Sequence, residues 1–303
     1  MKERFLGALL VFLGACSFGV LSSIVKTAYK SGYSLGQVTG IQTFFGMIIL
    51  WAIYAIYHLI YKPTVLPPKT IQGNRLWQVC LAGFFPGLVG IFYYQCVQLI
   101  PASVAIILLM QYLWISVIVD FLIFKNRPTK NQILTVMMII FGSLLAAGIF
   151  NQNMVINIKG YLFGLLAALT YSLFIITSSR VGNQLPTLKK SALMITGACF
   201  ITFVIFPPIF LFKLGLNDKL YQMGILLAIL GTVLPPFLFS LGIPKVGISL
   251  GAILSTAELP VAVIASYFYL KENVNLSQWL GVVCILLAII VPNFIPHIKQ
   301  RKV

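Results

Sequence analysis

The sequence predicts an all-α membrane protein of ten transmembrane helices, built as two inverted five-helix repeats, and three observations lead to this fold class. Of the 303 residues, 60% are hydrophobic and only 9% are charged, which is more apolar than an ordinary soluble domain. The apolar residues fall in blocks of about 20, the length that crosses ~30 Å of hydrocarbon as a helix. The two halves also repeat weakly at an offset of 146 residues, which lays Ser103 on Ser249.

Charged or Pro/Gly/Asn-rich breaks divide the chain into ten apolar blocks. The first block is too long for the core of a signal peptide, so we interpret it as a retained span. We expect no soluble catalytic domain, because the blocks and their breaks account for the chain. The predicted spans are 5–25, 36–60, 77–97, 102–124, 131–150, 159–179, 189–213, 219–241, 246–269 and 275–295.

The positions of the basic residues predict the orientation. With alternating spans, 15 of the 21 Lys and Arg lie on the side of the amino terminus and the remaining 6 on the other. The positive-inside rule then places both termini in the cytoplasm, in a multi-pass protein of the plasma (inner) membrane. The net charge of +16 does not indicate a nucleic-acid partner, because these residues stand at block ends, where they reach lipid headgroups.

The internal repeat relates spans four and five to spans nine and ten. Because each half has an odd number of spans, the second half enters the membrane in the opposite orientation, as in many secondary transporters. The predicted repeats are residues 1–151 and 152–303. When residues 103–136 are laid on 249–282, the identical pairs include Ser103 with Ser249, Ile107 with Ile253, Leu108 with Leu254, Ile118 with Ile264, Lys125 with Lys271, Gln132 with Gln278 and Leu134 with Leu280.

Three short motifs carry a resemblance to a known family. They are the small-residue run from Gly14 to Gly19 that leads to Lys26, the segment Pro101 to Ala105 between spans three and four, and the stretch from Glu258-Leu259-Pro260 to Leu270-Lys271-Glu272, followed by Gln278-Trp279-Leu280-Gly281. On these motifs the whole chain resembles the EamA family of the drug/metabolite transporter superfamily. The resemblance implies ten helices in two inverted repeats and the export of amino-acid-like metabolites. The chain departs from the family pattern at Asn126, which stands where an acid usually closes span four.

Glu258 is the strongest candidate functional residue because it lies inside an otherwise apolar span. A carboxylate near the bilayer centre costs at least ~2.5 kcal/mol, so such groups usually face the bundle interior or a water-filled cavity. Pro260 removes a backbone donor, which predicts a kink and a free carbonyl near Thr256. Since burial favours the neutral form of a carboxyl group, we expect Glu258 to bind substrate and to couple transport to protons. The alternative is a hydrogen bond that only fixes helix packing.

Other polar side chains within the spans are weaker candidates, because such groups also commonly hydrogen-bond between helices. Asp120 is expected to be interfacial, since it lies near the cytoplasmic end of span four, but a functional role stays open. Glycines four residues apart, such as Gly83 and Gly87, predict close helix contacts. The candidate substrate-binding residues are Glu258, Gln111, Tyr112, Tyr93, Gln95, Tyr171, Gln42 and Ser17, with Phe18 beside them.

These features favour a secondary transporter over an enzyme. The sequence has no zinc motif, paired-carboxylate motif, nucleotide loop or nucleophile elbow, so we expect no catalytic residue, metal site or cofactor. We expect an exporter of amino acids, amines or related small molecules that alternates access to a midplane site and exchanges substrate for protons. The alternatives are a drug or toxic-compound efflux carrier of the same fold and a membrane-embedded structural or channel subunit. The expected partners are the substrate, protons and the lipid bilayer, for a monomer or homodimer.

Overall fold

A computed structural model describes residues 2–60, 76–125, 128, 130–146, 157–182, 184–213, 218–246, 251 and 254–300. Within these ranges the regular structure is helical and no strand occurs, so the predicted all-α class is confirmed. The helices are α1 (Lys2–Lys30), α2 (Leu35–Ile60), α3 (Leu76–Ala82), α4 (Phe84–Leu99), α5 (Ala102–Leu109), α6 (Tyr112–Phe124), α7 (Lys130–Ala146), α8 (Ile158–Arg180), α9 (Thr187–Ile205), α10 (Phe210–Lys213), α11 (Lys219–Ala228), a π-helical turn (Ile229–Val233), α12 (Leu234–Val246), α13 (Glu258–Leu270) and α14 (Leu276–Gln300).

Seven helical stretches among the described residues are long and apolar enough to cross a membrane, which is consistent with predicted spans one to four and six to eight. Three shorter apolar helices, Val136–Leu145, Glu258–Leu270 and Leu276–Ala288, occur where the sequence predicted spans five, nine and ten. The chain is therefore a multi-pass membrane protein, and the full count of ten spans stays a prediction.

Several of the apolar stretches are interrupted near their middle, and the interruptions recur at the offset of the sequence repeat. The turn at Met110–Gln111 separates α5 from α6, and the turn at Thr256–Ala257 precedes α13, 146 residues later. Two left-handed residues end the helices that follow, Lys125 with φ 57° and Lys271 with φ 58°. Positive φ is uncommon outside glycine. Its recurrence at the same offset indicates that the two segments share a backbone conformation.

The packing of the helices is also equivalent in the two halves. Helix α1 packs against α12 and α13, whereas α8 packs against α4 and against α5 and α6. Helix α7 packs against α14, and α2 packs against α9. If the five predicted spans of one half are exchanged for those of the other, the contacts of α1 become those of α8. The α7–α14 and α2–α9 contacts stay the same.

Helix α5 occupies the centre of the bundle, because all eight of its residues are buried. Glycines allow the neighbouring helices to approach closely, as the sequence predicted. A Cβ atom at Gly83 would lie 2.0 Å from the carbonyl oxygen of Met194, and one at Gly164 would lie 2.7 Å from Cδ1 of Leu108. These contacts position the interrupted helices against one another.

Candidate substrate site at the helix breaks

A cavity of about 80 Å³ lies where the two equivalent helix breaks meet. It is near the middle of the long helices α1 and α8, which contribute Phe18 and Tyr171. Its described lining is mostly aromatic and apolar, with two phenol groups, two aliphatic hydroxyl groups and one acid. The lining residues are Phe18, Met110, Tyr112, Leu113, Tyr171, Phe239, Ser255, Thr256 and Glu258.

Glu258 is the first residue of α13, directly after the break. No side chain caps this end, and Pro260 supplies no backbone N–H to it. The predicted free carbonyl at Thr256 was wrong, because its oxygen accepts a hydrogen bond from the Leu259 backbone N–H at 3.1 Å. A hydrogen bond between residues three apart therefore occupies the carbonyl that Pro260 was expected to leave without a donor.

Three tyrosines lie within electrostatic range of the Glu258 carboxyl group: Tyr93, Tyr112 and Tyr171. The rings of Tyr112 and Tyr171 meet edge to face, with centroids 4.6 Å apart and planes at 87°. This geometry is the favoured one for an aromatic pair. Tyr112 and Tyr171 line the cavity, whereas Tyr93 is buried close by. The structure thus brings together four of the predicted site residues.

The cavity has equivalent positions from both halves but different chemistry in each. Tyr112 and Glu258 are separated by the repeat offset of 146, and each is the first residue of the helix after its break. Met110 and Thr256 are related in the same way and both line the cavity. One half therefore supplies a phenol at the position where the other supplies the carboxyl group.

Two glycines of α1 position the site, although sequence reasoning did not assign them this role. A Cβ atom at Gly19 would lie 2.7 Å from the backbone oxygen of Glu258, and one at Gly14 would lie 2.8 Å from the ring of Phe239. The small-residue run that carried the family resemblance was the available signal. Phe239, Ser255, Met110 and Leu113 had not been singled out, since they resemble ordinary residues of apolar helices.

Gln111 lies at the same break, but its amide group is directed to other helices. Its Nε2 donates to the Ile107 carbonyl at 2.8 Å and to Ser143 Oγ at 2.6 Å. Its Oε1 accepts from Trp114 Nε1 at 2.7 Å. Gln111 is buried and does not line the cavity in this conformation.

Ser17 donates a hydrogen bond from Oγ to the Leu230 carbonyl at 2.6 Å. In the π-helical turn the Leu234 backbone N–H donates to the Ile229 oxygen. The next residue is Pro235, which has no N–H to offer Leu230. The Ser17 hydroxyl therefore replaces a missing backbone donor and joins α1 to this turn.

The remaining candidates lie away from the cavity. Gln42 accepts a hydrogen bond from the Tyr94 hydroxyl group. Gln95 donates from Nε2 to Gln98 Oε1 at 3.0 Å on the partly exposed side of α4. Asp120 is half-buried on α6 and does not belong to the lining.

The described lining has a distinctive charge balance. It combines one carboxyl group with aromatic faces, and no Lys, Arg or His is among its residues. Aromatic faces attract cations through the ring quadrupole. Over the described ranges no three His, Cys, Asp or Glu residues are grouped as a metal ion would need. The five cysteines are free thiols.

A bundle of long apolar helices with a partly polar cavity at its centre defines a multi-pass membrane protein with an internal cavity. The chain belongs to the EamA-like transporter family, which it matches over residues 5–148 and 158–294. It is 24% identical over 294 residues to the uncharacterized transporter YcbK of Bacillus subtilis (strain 168), covering 93% of this chain and 90% of that protein. It is 24% identical over 186 residues to the uncharacterized transporter YwfM of the same strain, covering 60% of each.

A solved crystal structure also shares the fold. The two chains align with a TM-score of 0.65 at 15% identity, over 96% of this chain and 98% of the other. The family match means that the protein is a membrane transporter and not an enzyme, with the lipid bilayer and a small-molecule substrate as its partners.

Proposed function

We propose that the protein is a ten-span carrier of two inverted repeats, residues 1–151 and 152–303, with both termini in the cytoplasm of the inner membrane. The matched helix breaks, the matched left-handed residues and the exchange of packing partners support the repeats. The two separate family matches, residues 5–148 and 158–294, support the boundary between them. The distribution of basic residues supports the orientation.

We further propose that the substrate is a small organic amine or an amino acid that binds through its ammonium group. The observation that carries this proposal is the position of Glu258 in an aromatic cavity whose described lining has no basic residue. An ammonium group there would pair with the carboxylate and contact the faces of Phe18, Tyr112, Tyr171 and Phe239. A phosphate or dicarboxylate would instead need a buried cation.

Competition between a proton and an ammonium group for Glu258 couples the two fluxes. When the cavity opens outward, a proton neutralises the carboxyl group and the amine leaves. When the cavity opens to the cytoplasm, the proton departs and the charged carboxylate binds another amine. An inward proton gradient therefore drives the amine out of the cell, which makes the carrier an exporter.

Uptake into proteoliposomes tests this function. Labelled small amines and amino acids would be supplied with and without an imposed pH gradient to the parent protein, to Glu258→Gln and to Asp120→Asn. Glu258→Gln keeps the side-chain shape but cannot titrate, so it should lose gradient-driven accumulation. Asp120→Asn removes an acid outside the cavity lining and should retain it. Equal rates and equal pH dependence in the parent and Glu258→Gln would make the residue a packing group.

A drug efflux carrier of the same fold is the second candidate, and the cavity size distinguishes the two. Pockets for drug-sized ligands measure roughly 300–1,000 Å³. The cavity of about 80 Å³ favours a smaller substrate in this conformation. Transport of bulky organic cations in the same assay, without transport of small amines, would favour the second candidate.

A further inference from the structure

A second acid, Glu272, joins three segments at the end of the bundle where α1 and α13 finish. Its carboxylate pairs with Lys26 Nζ of α1 at 2.9 Å. It accepts hydrogen bonds from the backbone N–H groups of Ala102 at 3.0 Å and Ser103 at 3.3 Å, which begin α5. The hydroxyl groups of Ser103 and Ser266 donate to it at 3.2 and 2.5 Å.

Lys26 completes the connection, because its Nζ also donates to the Ile100 carbonyl at 2.8 Å. The side chains of Lys26 and Glu272 are only 22% and 12% exposed, so salt screens this pair less than a surface pair. Burial alone would raise the pKa of Glu272. The Ser266 hydrogen bond and the Lys26 charge outweigh it, so the pKa lies below its ordinary value and the group is charged.

Of the three joined segments, α1 and α13 line the cavity, and α5 ends directly before the cavity residue Met110. Along α1, Phe18 of the cavity lies eight residues, or about 12 Å, from Lys26. The cavity residue Glu258 begins α13, and Glu272 lies just after its end. Opening of the cavity towards these ends would require them to separate.

We propose that Lys26 and Glu272 form the external gate of the transporter, closing the cavity on the outer side until the α1, α5 and α13 ends separate. The assignment to the outer side rests on the orientation and the transport function proposed above. Both residues are positioning residues of the transport cycle, since neither lines the cavity.

Among the described residues, a different ion pair lies at the opposite end of the bundle. There Lys245 pairs with Glu3 at 2.5 Å, but the two side chains are 32% and 79% exposed. Exposed pairs of this kind contribute little. The sequence counterpart of Glu272 at the repeat offset is Asn126, whose amide carries no charge. The two repeats therefore differ in charge at these equivalent sequence positions.

Thiol labelling from outside the membrane tests the gate. A reporter, Ser255→Cys in the cavity, would be placed in a variant whose five native cysteines are replaced by alanine. A membrane-impermeant maleimide added to whole cells or right-side-out vesicles then reports outward opening. Glu272→Gln should raise the labelling rate roughly fivefold or more, within the usual range of coupling between sites. Lys26→Gln should raise it as well, and it leaves the Glu272 hydrogen bonds to α5 in place.

The matched control is Asp218→Asn, another acid of the same predicted outer side. Asp218 accepts a hydrogen bond from the Tyr33 hydroxyl at 2.7 Å, and neither residue belongs to α1, α5 or α13. The Asp218→Asn variant should be labelled at the same rate as the parent. Equal labelling of the parent, Glu272→Gln and Lys26→Gln, with folding verified by gel filtration, overturns the gate.

Labelling needs no substrate, so the gate and the proposed function fail separately. Increased labelling without amine transport would retain the gate and reject the substrate class. Amine transport that depends on Glu258, without a change in labelling, would reject the gate alone.

Discussion

Replacing Gly19 by alanine tests how closely α1 must approach Glu258. The added Cβ would lie 2.7 Å from the Glu258 backbone oxygen and 2.8 Å from Cβ of Val261. Neither atom belongs to the far end of a flexible side chain, so neither can move without α13. Ordinary contact begins at 3.4 Å, and α1 and α13 must therefore separate by about 0.7 Å.

The effect of Gly19→Ala on the free energy of unfolding follows from two opposing contributions. Overpacking of a buried contact typically costs about 1–3 kcal/mol. Alanine in place of glycine inside a helix recovers about 0.5–1 kcal/mol. We expect Gly19→Ala to lower the free energy of unfolding by about 1–2 kcal/mol, and to reduce transport because the separation displaces Glu258.

Gly90→Ala is the matched control on α4, since nothing lies within 4 Å of its added Cβ. It should keep transport and raise stability by about 0.5–1 kcal/mol. The melting temperatures of purified parent and variants, followed by gel filtration after heating, should order Gly19→Ala below the parent and Gly90→Ala at or above it. If Gly19→Ala melts with the parent and transports normally, the close approach of α1 to the site is not required.

Three further predictions use other contacts. Ser17→Ala leaves the Leu230 carbonyl without its donor, so the melting temperature should fall by the equivalent of about 1 kcal/mol, with the pH dependence of transport unchanged; an unchanged melting temperature would reject the contact. Because the folded-state pKa of Glu272 lies below 4.5, its stabilisation should be complete above that pH and lost as the pH falls through the folded pKa. The gap in melting temperature between the parent and Glu272→Gln should therefore be constant from about pH 8 to 5 and close in stronger acid; a gap that opens only on acidification would contradict the sign. Single cysteines at Lys125 and Lys190 should label from the cytoplasmic side alone, and labelling from opposite sides would refute the orientation.

The sequence alone determined the class of protein and the location of the intramembrane acid, Glu258. Membrane insertion depends on the summed transfer free energy of about 20 successive residues, which composition reports directly. The position of Glu258 was also readable, because one carboxyl group in an apolar span has few stable environments. The repeat offset of 146 anticipated that Tyr112 and Glu258 occupy equivalent positions.

Only the tertiary structure decided which polar side chains share the cavity. Gln111 and Tyr112 are neighbours in the chain, yet the Gln111 amide hydrogen-bonds to Ser143 of α7 whereas Tyr112 lines the cavity. A helix that is apolar on every side carries no periodic pattern from which its rotation can be inferred. The rotation is set by the neighbouring helices, through contacts as close as that of Gly19 with the Glu258 backbone. The pairing of Lys26 with Glu272 was equally hidden, because it joins residues 246 positions apart that only the packed bundle brings together.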